Sequence, residues 1–435
     1  MRYSLYLLLG LVTMSCSTVD EPPAQNPSTG DVIYEVFVRN YSPSGTIQAV
    51  TNDLPRLEEL GVNVLWLMPI QPIGEEARKG TFGSPYSIKD YTAISPDLGT
   101  EADFKAFVDA AHARGMKVVL DWVANHTAWD HHWVDEFPSF YTRMEDGSMV
   151  SPVPDWSDVA DLNYDEPALH EAMIAEMQWW IDTFGIDGFR CDVAEMVPDS
   201  FWTKAWQSLQ ADRDLWLLAE GGVPHLLDVG FDLVYAWTPY HAMKAVADGE
   251  QTIEGFWTEV MAYEEQFPPG NNRMRFTTNH DETAWDAPPV IRFGSVELSQ
   301  AMAVATFFLP GSPLIYNGQE VGSRAYTPLF EHEPINLFAE NDGMWSFYTD
   351  LVRTWRDVSL SADHSVVPLT DAGILGYTLR TSAGEDEVLV AVNPSDQPVA
   401  LRIPEAWEMV MRAADVQDNP DGMVLPAKGY FVATR

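Results

Sequence analysis

Carboxylates and imidazoles stand where short apolar runs of this chain stop. Val118-Val119-Leu120-Asp121 leads into Asn125-His126, Leu217-Leu218-Ala219 ends in Glu220, and Phe276-Thr277-Thr278-Asn279 ends in His280-Asp281. Gly188-Phe189-Arg190-Cys191-Asp192-Val193 carries a cation and a carboxylate two residues apart, which period-two alternation puts on one face of a strand. Such an ion pair alone is weak evidence for anything beyond structure, since burying two charges costs about as much as their attraction returns. Convergence of several such strand ends is another matter. Three carboxylates from separate strands cannot share one pocket fully ionised, so at least one has its pKa raised and holds a proton near neutrality. That provides a general acid.

The elements that must position these residues follow from the pattern. Val32 to Val38, Val62 to Met68 and Lys117 to Trp122 are expected strands, separated by helices at Ile47 to Leu60 and Ala102 to Arg114. A helix over 167–184, stopped by Gly185, precedes the Arg190-Asp192 strand, and further strands near 216–220, 231–236, 274–279 and 313–317 alternate with helices, the last at about 342–357. Eight apolar strands alternating with helices predict a parallel sheet closed into a (β/α)8 TIM barrel, with the active site at the carboxyl ends of its strands. The long connection over 124–164, rich in Trp, Asp, His and Pro, is expected to form a small inserted lobe over that face. The barrel is expected to occupy 31–360, and the helix-free segment 361–435 a C-terminal all-β sandwich domain.

Acidic residues outnumber basic ones 65 to 25, a formal charge of -40 over 435 residues. This excludes nucleic acid as a natural partner and suits a hydrated surface that stays soluble in salt. The amino terminus has Arg2, an apolar run from Leu5 to Val12 and then Ser15-Cys16, too short for a membrane span and patterned like an export signal. Residues 1–16 are expected to be a lipoprotein-type signal peptide, with lipidation at Cys16, and 17–30 a flexible tether. The expected location is therefore a bacterial membrane, in the periplasm or at the cell surface, with the lipid as the only membrane contact; plain secretion is the alternative. The other cysteine is Cys191, so an internal disulfide is not expected in the mature chain.

The strand-end motifs taken together resemble glycoside hydrolase family 13, the α-amylase family. Asp121 to His126, Gly188 to Val193, Ala219-Glu220 and Thr278 to Asp281 are similar to its four ordered motifs, Val159 to Tyr164 to its short fifth, and Ser84-Pro85-Tyr86 to its loop with a sugar-stacking tyrosine. The resemblance implies Asp192 as nucleophile, Glu220 as acid/base and Asp281 as the carboxylate that binds the distorted sugar, in a retaining double displacement. It further implies substrate contacts from Tyr86, His126, Arg190 and His280, with Arg190 keeping Asp192 ionised and Asp121 holding Arg190. Asn125 and Asp161 match two positions of the family's calcium site, and oxygen ligands suit that cation; no organic cofactor is implied. The chain departs from many α-amylases after the nucleophile, where Val193-Ala194-Glu195-Met196 replace the usual Lys and His. Val193 is closer to cyclomaltodextrinase- and oligo-1,6-glucosidase-like branches.

The implied substrates are starch-like α-glucans, maltooligosaccharides or cyclodextrins. A glucanotransferase would use the same residues with a sugar hydroxyl in place of water, and a non-catalytic glucan-binding protein would have lost Asp192, Glu220 or Asp281, all of which are present. Of the aromatics at Trp129, Trp133, Phe137, Phe140, Tyr141, Trp156, Trp237 and Trp285, each can serve either as a sugar platform or as packing. Glu320, in a family-like stretch after the eighth strand, is expected to be structural. Linkage preference and oligomeric state are not encoded in these motifs.

Overall fold

A computed structural model of the chain describes residues 30–435 apart from 271, 339–341, 359–363, 370–372, 404–406 and 420–421. Cys16 and the expected signal segment lie outside the described residues. Eight parallel strands close a barrel: β1 (Ile33–Val36), β2 (Val64–Leu67), β3 (Lys117–Trp122), β4 (Gly188–Cys191), β5 (Trp216–Ala219), β6 (Leu233–Tyr235), β7 (Arg273–Arg275) and β8 (Ser312–Tyr316), with β8 returning to pair with β1. Nearly every residue of these strands is buried, because helices cover the outside and side chains fill the inside.

Local chemistry sets the element ends. The Ile47–Leu60 helix starts on the Thr46 side chain, which accepts from the Ala49 N–H, and stops at Gly61 in the left-handed conformation. The Glu101–His112 helix opens on a reciprocal Thr100/Asp103 capping box. Gly188 has a packing role: a Cβ there would lie 1.8 Å from the Trp216 carbonyl oxygen, so only glycine lets β4 lie this close to β5. Asp192 and Glu220 follow directly from those two strands.

The 124–164 connection forms the lobe, built on an antiparallel ladder in which His126–Ala128 pairs with Val159–Asp161. Trp133, Phe140 and Tyr141 are buried within it and serve packing. The carboxyl-terminal domain has a five-stranded sheet of β9 (Ser365–Pro368), β10 (Leu375–Arg380), β11 (Asp386–Val392), β13 (Glu408–Arg412) and β16 (Tyr430–Thr434), and a three-stranded sheet of β12 (Val399–Arg402), β14 (Gln417–Asn419) and β15 (Gly422–Leu425). Alternation along the strands divides the packing: Tyr377, Val390 and Val432 join the barrel's core, whereas Leu389, Ala391 and Phe431 pack with Leu401 and Leu425 between the two sheets. The strands β9, β13, β14 and β15 were not expected from the sequence; β13 and β14 are largely exposed and carry no long apolar run.

Candidate active site

At the carboxyl ends of the strands Arg190 is fully buried and surrounded by carboxylates. Its Nη1 lies 2.8 Å from Asp121 Oδ1 and 3.1 Å from Asp192 Oδ1, and its Nη2 lies 2.9 Å from Glu220 Oε2. Its Nε donates to the Tyr235 hydroxyl at 3.1 Å. Asp121 in turn accepts from the Trp66 indole N–H at 3.1 Å and the Tyr86 hydroxyl at 3.0 Å. One guanidinium thus serves three carboxylates from β3, β4 and β5, a cluster that is stable only while every member is satisfied.

Glu220 is held by the Val193 backbone N–H at 2.7 Å. That N–H is aimed by an unusual backbone: Val193 has a φ of 37°, left-handed for a β-branched residue, a strain of about 1–3 kcal/mol of the kind that surrounding contacts must hold in place. The Ala194 N–H donates to the Glu220 carbonyl at 3.0 Å, which fixes the same turn.

These contacts place protons unequally. Burial, followed by the Glu220 charge, pushes the Asp192 carboxyl well above the usual carboxylate range. Burial also acts to raise Glu220, but Arg190, the Val193 N–H and the His280 charge outweigh it and hold Glu220 low. Burial raises Asp121 and Asp281 as well. The expectation of a raised acid among crowded carboxylates therefore holds. The two shifts run in opposite directions: burial and the neighbouring charge favour the protonated form of Asp192, whereas Arg190 and the Val193 N–H favour the ionised form of Glu220.

His280 is buried with Nδ1 at 2.5 Å from Glu35 Oε1 and Nε2 at 2.8 Å from the Tyr86 hydroxyl and 3.3 Å from Asp281 Oδ2. Burial alone would depress its pKa, but the Asp281 and Glu35 carboxylates lift it to about 9. His126, on the lobe, has no carboxylate at contact distance; burial lowers it to about 4, and Trp156 tilts over its ring at 5.6 Å.

These side chains line a cavity of about 390 Å³ containing Tyr86, His126, Trp156, Asp192, Val193, Glu220, His280, Asp281, Trp285 and Phe330. Every expected catalytic and substrate-contact residue reaches it except Arg190, which lies beneath. Of the candidate aromatics, Trp156 and Trp285 reach the cavity; Trp237 instead stacks on Tyr235. The rim is closed by Lys79, whose Nζ lies 3.0 Å from Asp158 Oδ1 and 2.6 Å from the Asp155 carbonyl, and 5.8 Å from the Phe330 ring centre. Glu320 lies away from the cavity and is fully buried, accepting from Tyr34, Arg56 and the Gly318 N–H.

Asn125 and Asp161 are neighbours in the lobe, where the Leu162 N–H donates to the Asn125 carbonyl. They bring one carboxylate and one amide oxygen, against the six to eight oxygens calcium takes. No group of three or more His, Cys, Asp or Glu side chains able to hold a metal occurs among the described residues. The two side chains do not by themselves make a calcium shell.

The profile of the α-amylase catalytic domain matches residues 24–146 and 154–215. The crystal structure of an α-amylase from Lactobacillus plantarum is 32% identical, superposes with a TM-score of 0.84, and is covered over 99% of its length by 94% of this chain. This chain belongs to the α-amylase family, glycoside hydrolase family 13. A second family member, the noncanonic maltogenic α-amylase AmyB of Thermotoga neapolitana, is 30% identical with a TM-score of 0.78, over 93% of this chain and 96% of that one. Among curated relatives, α-amylase MalA of Haloarcula japonica is 29% identical over 418 residues, 90% of this chain and 60% of its own length. A maltose-1-phosphate maltosyltransferase of Arcanobacterium haemolyticum is 29% identical, over 83% of this chain and 58% of its own. The chain thus spans about 60% of these two relatives' lengths.

Lys79, Phe330, Glu35, Trp66 and Tyr235 are among the site residues that escaped sequence reasoning. Lys79 and Phe330 sit in loops without periodicity, so nothing local marks them. Glu35 did carry a signal, as the only charged residue in the run Val32 to Val38.

Proposed function

We propose that this family 13 member is a retaining hydrolase of α-glucosidic bonds in starch-like glucans, maltooligosaccharides or cyclodextrins. The observation that carries this reading is that Asp192 and Glu220 meet on one guanidinium, Asp192 Oδ1 at 3.1 Å from Arg190 Nη1 and Glu220 Oε2 at 2.9 Å from Nη2. Carboxyl groups that close leave no room for an activated water between them; retaining enzymes hold theirs about 5–5.5 Å apart, inverting ones about 6.5–9.5 Å.

In the proposed sequence a sugar lies against Tyr86, with His126 and His280 on its hydroxyls and Asp281 on the distorted ring. A glycosidic oxygen offered to Glu220 favours the proton there rather than on Asp192, leaving Asp192 anionic beside Arg190. The Asp192 oxygen bonds to the anomeric carbon as the C–O bond to the leaving group breaks and Glu220 protonates that oxygen. Water then gives a proton to Glu220 and attacks the same carbon, and Asp192 leaves as a carboxylate. Proton NMR of the first turnovers on a maltooligosaccharide should show the α-anomer; initial β-anomer would overturn the nucleophile assignment.

A sugar hydroxyl in place of that water gives transglycosylation, a second reading favoured by the similarity to a maltosyltransferase. Product analysis at high maltooligosaccharide concentration separates the two, since transfer lengthens some chains. We further propose export with lipidation at Cys16, on the strength of the apolar run ending at Ser15-Cys16. Detergent partition of the wild type and Cys16→Ser from a bacterial host tests it: equal aqueous partition would rule the anchor out.

A further inference from the structure

We propose that Glu35, buried on β1 and outside the substrate cavity, is a positioning residue that keeps a proton on His280 Nε2, so that this histidine enters the cleft as a hydrogen-bond donor. It rests on the hydrolase reading only for His280's contact with sugar.

The geometry fixes the donors. The Tyr86 hydroxyl is committed to Asp121 at 3.0 Å, so toward His280 it presents a lone pair, and Asp281 presents a carboxylate. Nε2 therefore has only acceptors within reach and needs a hydrogen. On the other side Nδ1 meets Glu35 Oε1 at 2.5 Å, while Oε2 is buried with no hydrogen-bond partner. The second nitrogen of an imidazole takes its state from what the first one bonds.

The Glu35–His280 pair can hold its two protons in two ways, imidazolium against carboxylate or neutral imidazole against carboxylic acid. Nε2 carries hydrogen in both. Remove one proton and the carboxylate keeps hydrogen on Nδ1, leaving Nε2 bare against two acceptors. The pair is thus a device that holds the donor form until it deprotonates.

The charged and titratable groups around His280 are Glu35 from β1, Tyr86 from the 71–89 loop, Asp121 from β3, Arg190 from β4, Glu220 from β5, and Asp281 beside it. Arg190 opposes protonation and the carboxylates favour it; the balance puts the His280 transition at about 9. Glu35 is the only one of them bonded to Nδ1.

The test is Glu35→Gln, which conserves shape. The glutamine offers Nδ1 an uncharged partner, and with its oxygen accepting from Nδ1–H the neutral ring has Nε2 bare; the 15N signature of the variant's own ring reports which end of the amide faces Nδ1. The alkaline limb of kcat/KM should move acidward by at least one pH unit, with at least a tenfold loss at pH 8 that recovers substantially near pH 5.5. A profile superposable on wild type, or an equal loss at every pH, would overturn the proposal. A 15N titration of the His280 ring in the wild type needs neither substrate nor a folded variant. Two protonated nitrogens from pH 6 to 8, or a proton on Nε2 alone, supports the inference; hydrogen on Nδ1 with Nε2 bare at pH 7 refutes it. Were the wild type inert on glucans, the hydrolase reading would fail while this ring titration still decided the role of Glu35.

Discussion

His280 on the barrel wall and His126 on the lobe wall are almost equally buried, at 1% and 3% exposed, and line the same cavity. Their protonation diverges: carboxylates of Glu35 and Asp281 lift one to about 9, while burial without a contacting carboxylate takes the other to about 4. Burial penalises charge on both walls, so the sign of each shift is decided by neighbours. The barrel wall gathers carboxylates around Arg190 and His280, where charge can be moved between groups. The lobe wall offers a neutral imidazole and the Trp156 ring, suited to holding a sugar without altering the proton balance of the carboxylates opposite.

This comparison can be broken most severely at the charged wall. Asp192→Asn and Glu220→Gln should each abolish turnover, with losses of at least the 10²–10⁴-fold that general acid–base catalysis supplies, while circular dichroism stays native. Either variant retaining a tenth of wild-type activity on a natural glucan would remove that residue from its role.

Arg190→Met should come next. It leaves the three carboxylates of Asp121, Asp192 and Glu220 without their cation, and breaking a buried pair in this way costs about 3–5 kcal/mol. A marked fall in the thermal midpoint is expected together with inactivity, and an unchanged midpoint would show that the cluster does not need its guanidinium.

The histidines sharpen the contrast. Because the folded His280 pKa is raised, its charge is retained at neutrality and lost as pH rises through about 9, and kcat/KM should fall over that window. His126→Gln should lower kcat/KM by roughly tenfold or less, the size of a hydrogen bond worth about 0.5–1.5 kcal/mol, and leave the alkaline limb in place. A limb displaced by that substitution would mean that the lobe histidine titrates with the site.

The smallest effect is expected at the rim. Lys79 is partly exposed and its partner Asp158 is buried, so Lys79→Ala should lower stability by no more than about 1–3 kcal/mol, the cost of leaving one buried acceptor unpaired, without loss of activity. It should instead raise activity on long glucans relative to maltotriose by a few-fold, because a tie across the cavity mouth is gone. An unchanged ratio would assign Lys79 to packing alone.

The strand-end motifs were legible because each is local. An apolar run followed by a carboxylate is written in consecutive residues, and strand–helix alternation then brings such ends together on one face of a barrel. The carboxyl-terminal strands were less so, since exposed strands such as Gln417–Asn419 have no apolar alternation to read.

The sequence by itself determined the barrel, the family and the three carboxylates of the site, together with the general expectation that one of them would hold a proton. Tertiary structure alone decided the direction in which each carboxyl group shifts, because Arg190 Nη2 and the Val193 N–H meet Glu220 rather than Asp192. It also decided that Glu35 meets a histidine 245 residues away and that Lys79 ties a loop to the lobe. The physical reason is range. Propensity and patterning act over a few residues, whereas a buried group's charge state is set by whatever the fold brings within a few ångströms of it.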